Sequence, residues 1–528
     1  MVELSTLFTL SLVVGTLIVV RSLYRVLVPA GAAGDAYGQM LQIQDIKDSG
    51  HRRPDEPSPV VTSGHYAYPY FVLWLLSYLP RSLLVRTERY FSAIMDLVFV
   101  VVIAALVPLE LLSVSQLSFV ILLLVATPQF MRPDLAHGQG LSSRKPGQVL
   151  TTASIFAFVL WVDTGWLGWL ATSVVLGGLM CLSSKFSLQA YLFVIVGFSI
   201  VLSPIALFLV PGSILVAAVL SGGRYLRILR GHAEHVYDYA VRKQYKMFDH
   251  SFPDPIGWFR RIVGVRSGDD VLELFNDSRF LRPFIDNPFV IAVVAALVAT
   301  TLSDPSITTL DGVRAWIVAC LFAFVLTSLP HLLFFGQAER YLEYIFLPSA
   351  LLIVEGLSTF GAWYTWLIGV VIVSGLAVEA VYVWAYKNIF HSPDRQEKLD
   401  GVIKFLKSRD AGVVVAHPTY ISREVAWRTP HKVVEFIGGN ATTTERSVEE
   451  LNRLFPDQFS FVTNDVDWLA TAFDPDWVVF DLEKLAEMDR PTDDLEQPSA
   501  DPSFSNDRFA VYPFEVLVSA AGTTATNE

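Results

Sequence analysis

Apolar residues in this chain gather into long runs with short polar breaks between them, instead of alternating with polar residues at the period of a strand or an amphipathic helix. The runs are Leu4–Val20, Tyr68–Leu84, Ser92–Leu109, Leu117–Phe130, Val149–Val162, Leu167–Leu182, Leu188–Leu202, Ile205–Leu220, Pro288–Leu302, Val313–Phe334, Tyr344–Phe360 and Trp363–Trp384. A helix needs roughly 20 apolar residues to cross a bilayer, so the pattern predicts an all-α polytopic membrane protein of about 11–13 transmembrane helices. Three polar stretches, Ala30–Gly64, Met131–Gln148 and Ser221–Asn287, leave room for chemistry between the spans. Beyond Lys387 the pattern changes. A polar helical stretch, Asp394–Ser408, is followed by short β-branched runs at Gly412–Ala416, Lys432–Phe436, Trp477–Phe480 and Phe509–Val518, as expected of a small soluble α/β domain. Ser447 and Glu450, ahead of Leu451, predict a capping box, and the Pro-, Asp- and Ser-rich run Met488–Asp507 predicts a flexible loop. The expected organisation is a transmembrane catalytic domain over residues 1–386, with a first external loop at 30–64 and a long amphipathic loop at 221–287, then an acidic α/β domain over 387–528.

Composition sharpens this picture. The chain is 53% apolar and 17% charged, against about 25% charged in an average soluble protein, which excludes an ordinary soluble enzyme. The net charge is −12, and the segment from Lys387 onward, with 14 basic and 25 acidic residues, accounts for −11 of it. An acidic tail repels phosphate backbones, so a nucleic-acid partner is excluded. Cys181 and Cys320 lie in separate apolar runs and read as small buried hydrophobes. Residues 1–20 lack a basic leader and a small-residue cleavage site, so they read as a retained first span. Arg21 and Arg25 compete with Arg81, Arg86 and Arg89 for the cytoplasmic side. If Tyr68–Leu84 lies on the membrane surface, eleven spans put all three polar stretches, Gly336–Glu343 and the tail on one face.

A polar residue at a membrane boundary is costly without a job or a partner, and four segments stand out. Gly34-Asp35-Ala36-Tyr37-Gly38-Gln39 follows the first span; Asp35 is either a general base for a hydroxyl or amine, or a helix cap. Gly64-His65-Tyr66-Ala67-Tyr68-Pro69-Tyr70 opens the next run and suits an interfacial aromatic belt, with His65 as a weak site candidate. Thr127-Pro128-Gln129-Phe130 leads to Leu141-Ser142-Ser143-Arg144-Lys145, where Arg144 and Lys145 would meet lipid headgroups or a substrate phosphate. Gly336-Gln337-Ala338-Glu339-Arg340-Tyr341-Leu342-Glu343-Tyr344, wedged between two long runs, holds more charge than an anchoring turn requires.

Together these segments resemble the GT-C class of membrane glycosyltransferases, which includes protein O-mannosyltransferases, aminoarabinose transferases, dolichol-pathway mannosyltransferases and oligosaccharyltransferase catalytic subunits. The resemblance spans about Met1–Trp384: a first span, a loop with an early Asp, an aromatic/Pro helix entry, a later TP…SxR…G segment and a late ERYxxYxxxP element. It implies that Asp35 is the catalytic base or acceptor-orienting carboxylate of the first external loop. It further implies that His65, Arg144, Glu339, Arg340 and Tyr341 bind substrate, with Arg340 near the donor phosphate. The sequence departs from the commoner pattern in having one acidic residue at Asp35 instead of an adjacent pair, with Asp45 and Asp48 next along the loop. A divalent metal, Mg or Mn, therefore stays open as cofactor.

The function so implied is transfer of a sugar from a polyprenyl (dolichyl) phosphate donor to a lipid-linked glycan or protein acceptor, with inversion, by a multi-pass cell-membrane enzyme whose active site and tail are extracytoplasmic. Its partners would be that donor and acceptor and the membrane lipids. The tail's Asp465-Val466-Asp467 and Asp474-Pro475-Asp476 mimic the metal-binding DxD of nucleotide-sugar transferases, although acidic loops explain them as well. A transporter or flippase of a lipid-linked substrate, and a non-catalytic scaffold of a glycan-assembly complex, are the competing classes.

Overall fold

The computed structural model describes residues 13–21, 34–104, 113–127, 140–242, 288–302, 308–329, 332–335, 338–358, 363–385, 393–436, 444–456, 461–487 and 494–524, with a few isolated positions besides. The chain divides into two compact units. One comprises Met1–Ala30, Arg89–Tyr225 and Phe248–Phe390; the other comprises Gly31–Glu88, Leu226–Met247 and His391–Glu528.

The first unit is helical. Two of its helices, Arg144–Thr164 and Tyr364–Val381, are long and apolar enough to cross a membrane, and Val114–Val125, Leu167–Cys181, Lys185–Val201, Pro204–Leu220 and Phe289–Thr301 are shorter apolar helices. Small residues let these helices approach closely. Gly177 and Gly178 lie against Ser213 and Val216, Gly197 against Ala319, and Gly356 against Ala296 and Thr300. On Tyr364–Ala385 the outward residues Val370, Val373 and Val381 are exposed, and Trp363, Trp366 and Trp384 stand exposed near its two ends. Trp366 and Trp384 are separated by a helical rise of about 27 Å, close to the hydrocarbon thickness of about 30 Å that aromatic belts bracket.

An ionic seam ties several helix ends together. Arg21, at the end of the helical residues 13–21, pairs with Asp96 at 3.3 Å and donates to the carbonyl of Leu124 at 3.3 Å. Lys145, in the first turn of Arg144–Thr164, reaches the other oxygen of Asp96 at 3.4 Å. Gly375 of the Tyr364–Ala385 helix abuts Ala126, and one turn later Glu379 is buried.

The second unit contains a five-stranded sheet of order β2-β1-β3-β5-β4, formed by β1 (Val413–His417), β2 (Lys432–Val433), β3 (Trp477–Asp481), β4 (Phe504–Ser505) and β5 (Phe509–Pro513). β1 runs parallel to β2 and β3, while β5 runs antiparallel to β3 and β4. Val415, Val434, Leu451, Phe461, Val478, Phe480 and Tyr512 form its core. The early loop folds onto this domain. Val60 bridges Val433 in parallel, so Pro59–Val61 continues the sheet beyond β2, with Val61 N–H to Val433 O at 3.2 Å and Val433 N–H to Pro59 O at 3.1 Å. Ser63 donates from its backbone and its hydroxyl to the Glu450 carboxylate, both at 2.7 Å. Arg81 donates to Trp427 O at 3.2 Å and covers the Trp427 ring at 4.3 Å.

Three expectations need correction. Tyr68–Leu84, read either as a span or as a membrane-surface helix, is not one helix: it holds two seven-residue helices, Phe71–Ser77 and Arg81–Thr87, separated at Pro80, whose ring cannot continue a helix. The capping box lies three residues earlier than expected. Thr444 is the cap and Ser447 its reciprocal partner, because a Ser at the third helical position answers the cap's backbone N–H as Glu would. Within Met488–Asp507, the described part carries β4, and Asp494 is buried against His417 at 3.1 Å. Val462 N–H donates to His417 Nδ1 at 3.2 Å, which leaves Nε2 as the donor to Asp494.

Candidate functional site

In the helical unit the site is built around the 3-10 segment Ala338–Ile345. Glu339, Tyr341, Glu343 and Tyr344 are all buried, and Arg340 is half-buried. Tyr341 packs against the rings of Phe186 and Phe193, with centroids at 4.9 and 5.4 Å, and its hydroxyl has no hydrogen-bond partner among the described residues. Tyr344 shares a 2.7 Å hydrogen bond with Ser187. Gln148 donates to the backbone oxygen of Glu343. Arg144 opens its helix with its guanidinium 6.0 Å from the Phe186 ring, and its buried Nη1 atom is unpartnered. Phe186 therefore sits in reach of both Arg144 and Tyr341. Arg144, Lys145 and Arg340 all favour the ionised Glu343 while Glu339 opposes it, yet burial dominates and raises the Glu343 carboxyl above its ordinary range.

Close packing makes this assembly possible. A Cβ on Gly147 would run into the Ser184 and Ser187 side chains, so the glycine lets the Arg144–Thr164 helix lie on the start of Lys185–Val201. Of the residues predicted from sequence, Arg144, Glu339, Arg340 and Tyr341 are brought together here. Lys145, singled out with Arg144 as a headgroup or phosphate contact, and Glu343 of the late charged segment join them, as do Gln148 and Asp96, which were not singled out. Asp96 carried a usable signal, being a lone carboxylate inside an apolar run.

Asp35 and His65 belong to the other unit. Asp35 lies in the first turn of the helix Gly34–Asp48, and its side chain is outside the described atoms. His65 is half-buried, and its buried Nδ1 has no hydrogen-bond partner among the described residues. Asp45 is fully engaged as an acceptor: it takes the Tyr66 hydroxyl at 2.8 Å, Ser58 N–H at 3.1 Å and the Ser58 hydroxyl. Burial and Asp45 together push the Tyr66 hydroxyl well above its usual range. Asp48 is bonded to Gln44 at 2.7 Å. Neither is placed as a free second carboxylate beside Asp35. No group of three or more His, Cys, Asp or Glu side chains suited to a metal is found among the described residues.

The tail's DxD look-alikes have structural work. Asp465 caps the helix Val466–Phe473 and pairs with Arg453 at 2.8 Å. Asp474 ends that helix in a left-handed conformation, φ 46°, and Asp476 accepts from Val413 N–H at 2.7 Å. Gly336, Gln337 and Pro128–Phe130 lie outside the described residues.

No family model matches the chain, and no curated protein matches it. Among solved structures its fold is similar to that of the Archaeoglobus fulgidus oligosaccharyltransferase in the apo form, with a TM-score of 0.56 and 12% identity, over 90% of this chain and 70% of that one. At that identity the likeness is one of fold.

Proposed function

We propose that this chain is a multi-pass membrane glycosyltransferase of the GT-C type, taking a sugar from a polyprenyl-phosphate carrier such as dolichyl phosphate and passing it to a lipid-linked glycan or a protein on the extracytoplasmic face. The observation that carries the reading is the gathering of Arg144, Lys145 and Arg340 around the buried Glu343. That gathering belongs to a fold similar to an oligosaccharyltransferase. A run of cations this dense at a helix-bundle end suits an anionic headgroup.

In this reading the donor enters from the bilayer and Arg340 grips its phosphate with a planar fork, aided by the unpartnered Nη1 of Arg144. Glu339 and Glu343 lie among these cations. The Tyr341 hydroxyl and His65 Nδ1 are uncommitted polar atoms available to substrate oxygens. Asp35 takes the proton from the acceptor as the acceptor oxygen or nitrogen bonds to the anomeric carbon; the carbon–phosphate oxygen bond breaks on the opposite side, the phosphate leaves with the electron pair, and the configuration inverts. A divalent ion would offset the negative charge developing on the leaving phosphate; Asp45 and Asp48, the next carboxylates of the helix, are already bonded to other side chains, so no step is assigned to it.

The test is sugar transfer by purified protein in liposomes, supplied with radiolabelled polyprenyl-phosphate sugars and a lipid-linked glycan extract. Wild type is expected to form product, and Asp35→Asn to stay folded while losing about 10²- to 10⁴-fold in rate. A well-folded wild type that consumes no donor overturns the reading, and donor movement across the bilayer without transfer would replace it with a flippase.

A further inference from the structure

Two residues after Asp35, a buried network fastens the start of its helix to the tail. Tyr37 donates its hydroxyl to Oε1 of Glu424 at 3.1 Å, and both residues are 8% exposed. The same oxygen accepts from Gln396 at 3.2 Å and from Arg428 at 2.7 Å, and Arg428 reaches Asp400 at 2.6 Å. Beside Tyr37, a Cβ on Gly38 would stand 3.0 Å from the Arg423 side chain, so the Gly34–Asp48 helix lies hard against the helix Ser422–Arg428. A carboxylate oxygen approached by three donors is held from three sides and has little freedom to swing. Burial, reinforced by Glu424, raises the Tyr37 hydroxyl above its ordinary range, so it stays a donor throughout the working pH range.

The rest of this helix is fixed by other groups. Asp45 holds Tyr66 and Ser58, and Lys47 donates to Leu79 O at 3.1 Å. Among the described side chains of its first turn, Tyr37 alone makes a hydrogen bond. Remove that bond and the far end still holds, while the turn that carries Asp35 is free to fray. Displacement of a reacting group by about 1 Å costs about 10²-fold in rate, so the tether matters to chemistry far more than to folding.

Resting on the proposed role of Asp35, we infer that Tyr37 and Glu424 are positioning residues: the tail helix Ser422–Arg428 sets the place of the catalytic turn through the Tyr37–Glu424–Arg428 network. The tail thereby contributes to catalysis without touching the substrate.

The experiment compares full-length wild type, Tyr37→Phe, Glu424→Gln, Asp35→Asn and the double variant Asp35→Asn/Tyr37→Phe. It reads kcat, KM, the pH profile of kcat, and hydrogen exchange over residues 34–40. Tyr37→Phe and Glu424→Gln are expected to lower kcat about 10- to 100-fold, with KM within about twofold and faster exchange confined to residues 34–40. The double variant should be no slower than Asp35→Asn. Normal kcat in Tyr37→Phe with an inactive Asp35→Asn overturns the inference alone. Loss of kcat that tracks loss of folded protein, with exchange faster across the whole tail, also overturns it. Full activity in Asp35→Asn overturns the reading on which it rests.

Discussion

In the proposed mechanism Arg340 and Arg144 hold the donor phosphate, and a guanidinium differs from an ammonium in the shape of its grip. Arg340→Lys keeps the charge but loses the fork. A hydrogen bond to a charged group is worth about 1.5–3 kcal/mol, so transfer efficiency should fall about 10- to 150-fold, measured as kcat/KM for the polyprenyl-phosphate donor. An effect below about threefold would make Arg340 an anchor. Residues of this kind were legible because they stand in polar breaks between apolar runs. Asp96 carried a signal of another kind, a lone carboxylate inside Ser92–Leu109, which hydropathy averages away. Only the fold shows Arg21 and Lys145 closing on it from two other helices. Glu343 escaped for another reason. It and Glu339 are one helical turn apart, and spacing alone does not tell which of two neighbouring carboxylates will be enclosed by cations.

Helices and their packing carry the next layer. The first turns of Arg144–Thr164 and Lys185–Val201 meet across Gly147, and the Ser187 that faces this glycine also holds Tyr344. Gly147→Ala should therefore push apart the two elements that assemble the site. Overpacking of this kind costs about 1–3 kcal/mol; the measurements are the melting temperature in detergent and the transfer rate, and the rate is expected to fall more than the stability implies. An unchanged rate would show that the helices give way elsewhere. Apolar runs located most helices of the first unit, and β-branched runs four of the five strands of the second, within a residue or two at one end or the other. The pattern missed β4, since Phe504–Ser505 is two residues long in a Pro- and Asp-rich stretch, and its only strand signal is its partner β5. It also joined Phe71–Ser77 to Arg81–Thr87, because hydropathy counts apolar residues and is blind to the break that Pro80 imposes.

For the molecule as a whole, the informative fact is which segments share a unit. Hydropathy separates the tail from everything before it, yet Gly31–Glu88 folds with the tail. Sequence could not reveal this, since the bonds that fix it join residues such as Tyr37 to Glu424 and Ser63 to Glu450, each pair 387 positions apart. A chain ending at Ala385 should insert its helices but leave residues 34–87 open to protease, whereas the full chain protects them. Limited proteolysis in liposomes with detection of fragments cut near residue 60 checks this, and equal protection in both chains would show that the early loop folds without the tail.

The strand bridge between Val60 and Val433 also sets a clock. Ribosomes add about 5–20 residues per second, so the early loop must wait roughly 20–80 s after its own synthesis before the edge it completes exists. Through that interval Val60 and Val61 present unpaired backbone to their surroundings. On the proposed reading, the turn that carries Asp35 is held in place only once the tail helix Ser422–Arg428 has been made.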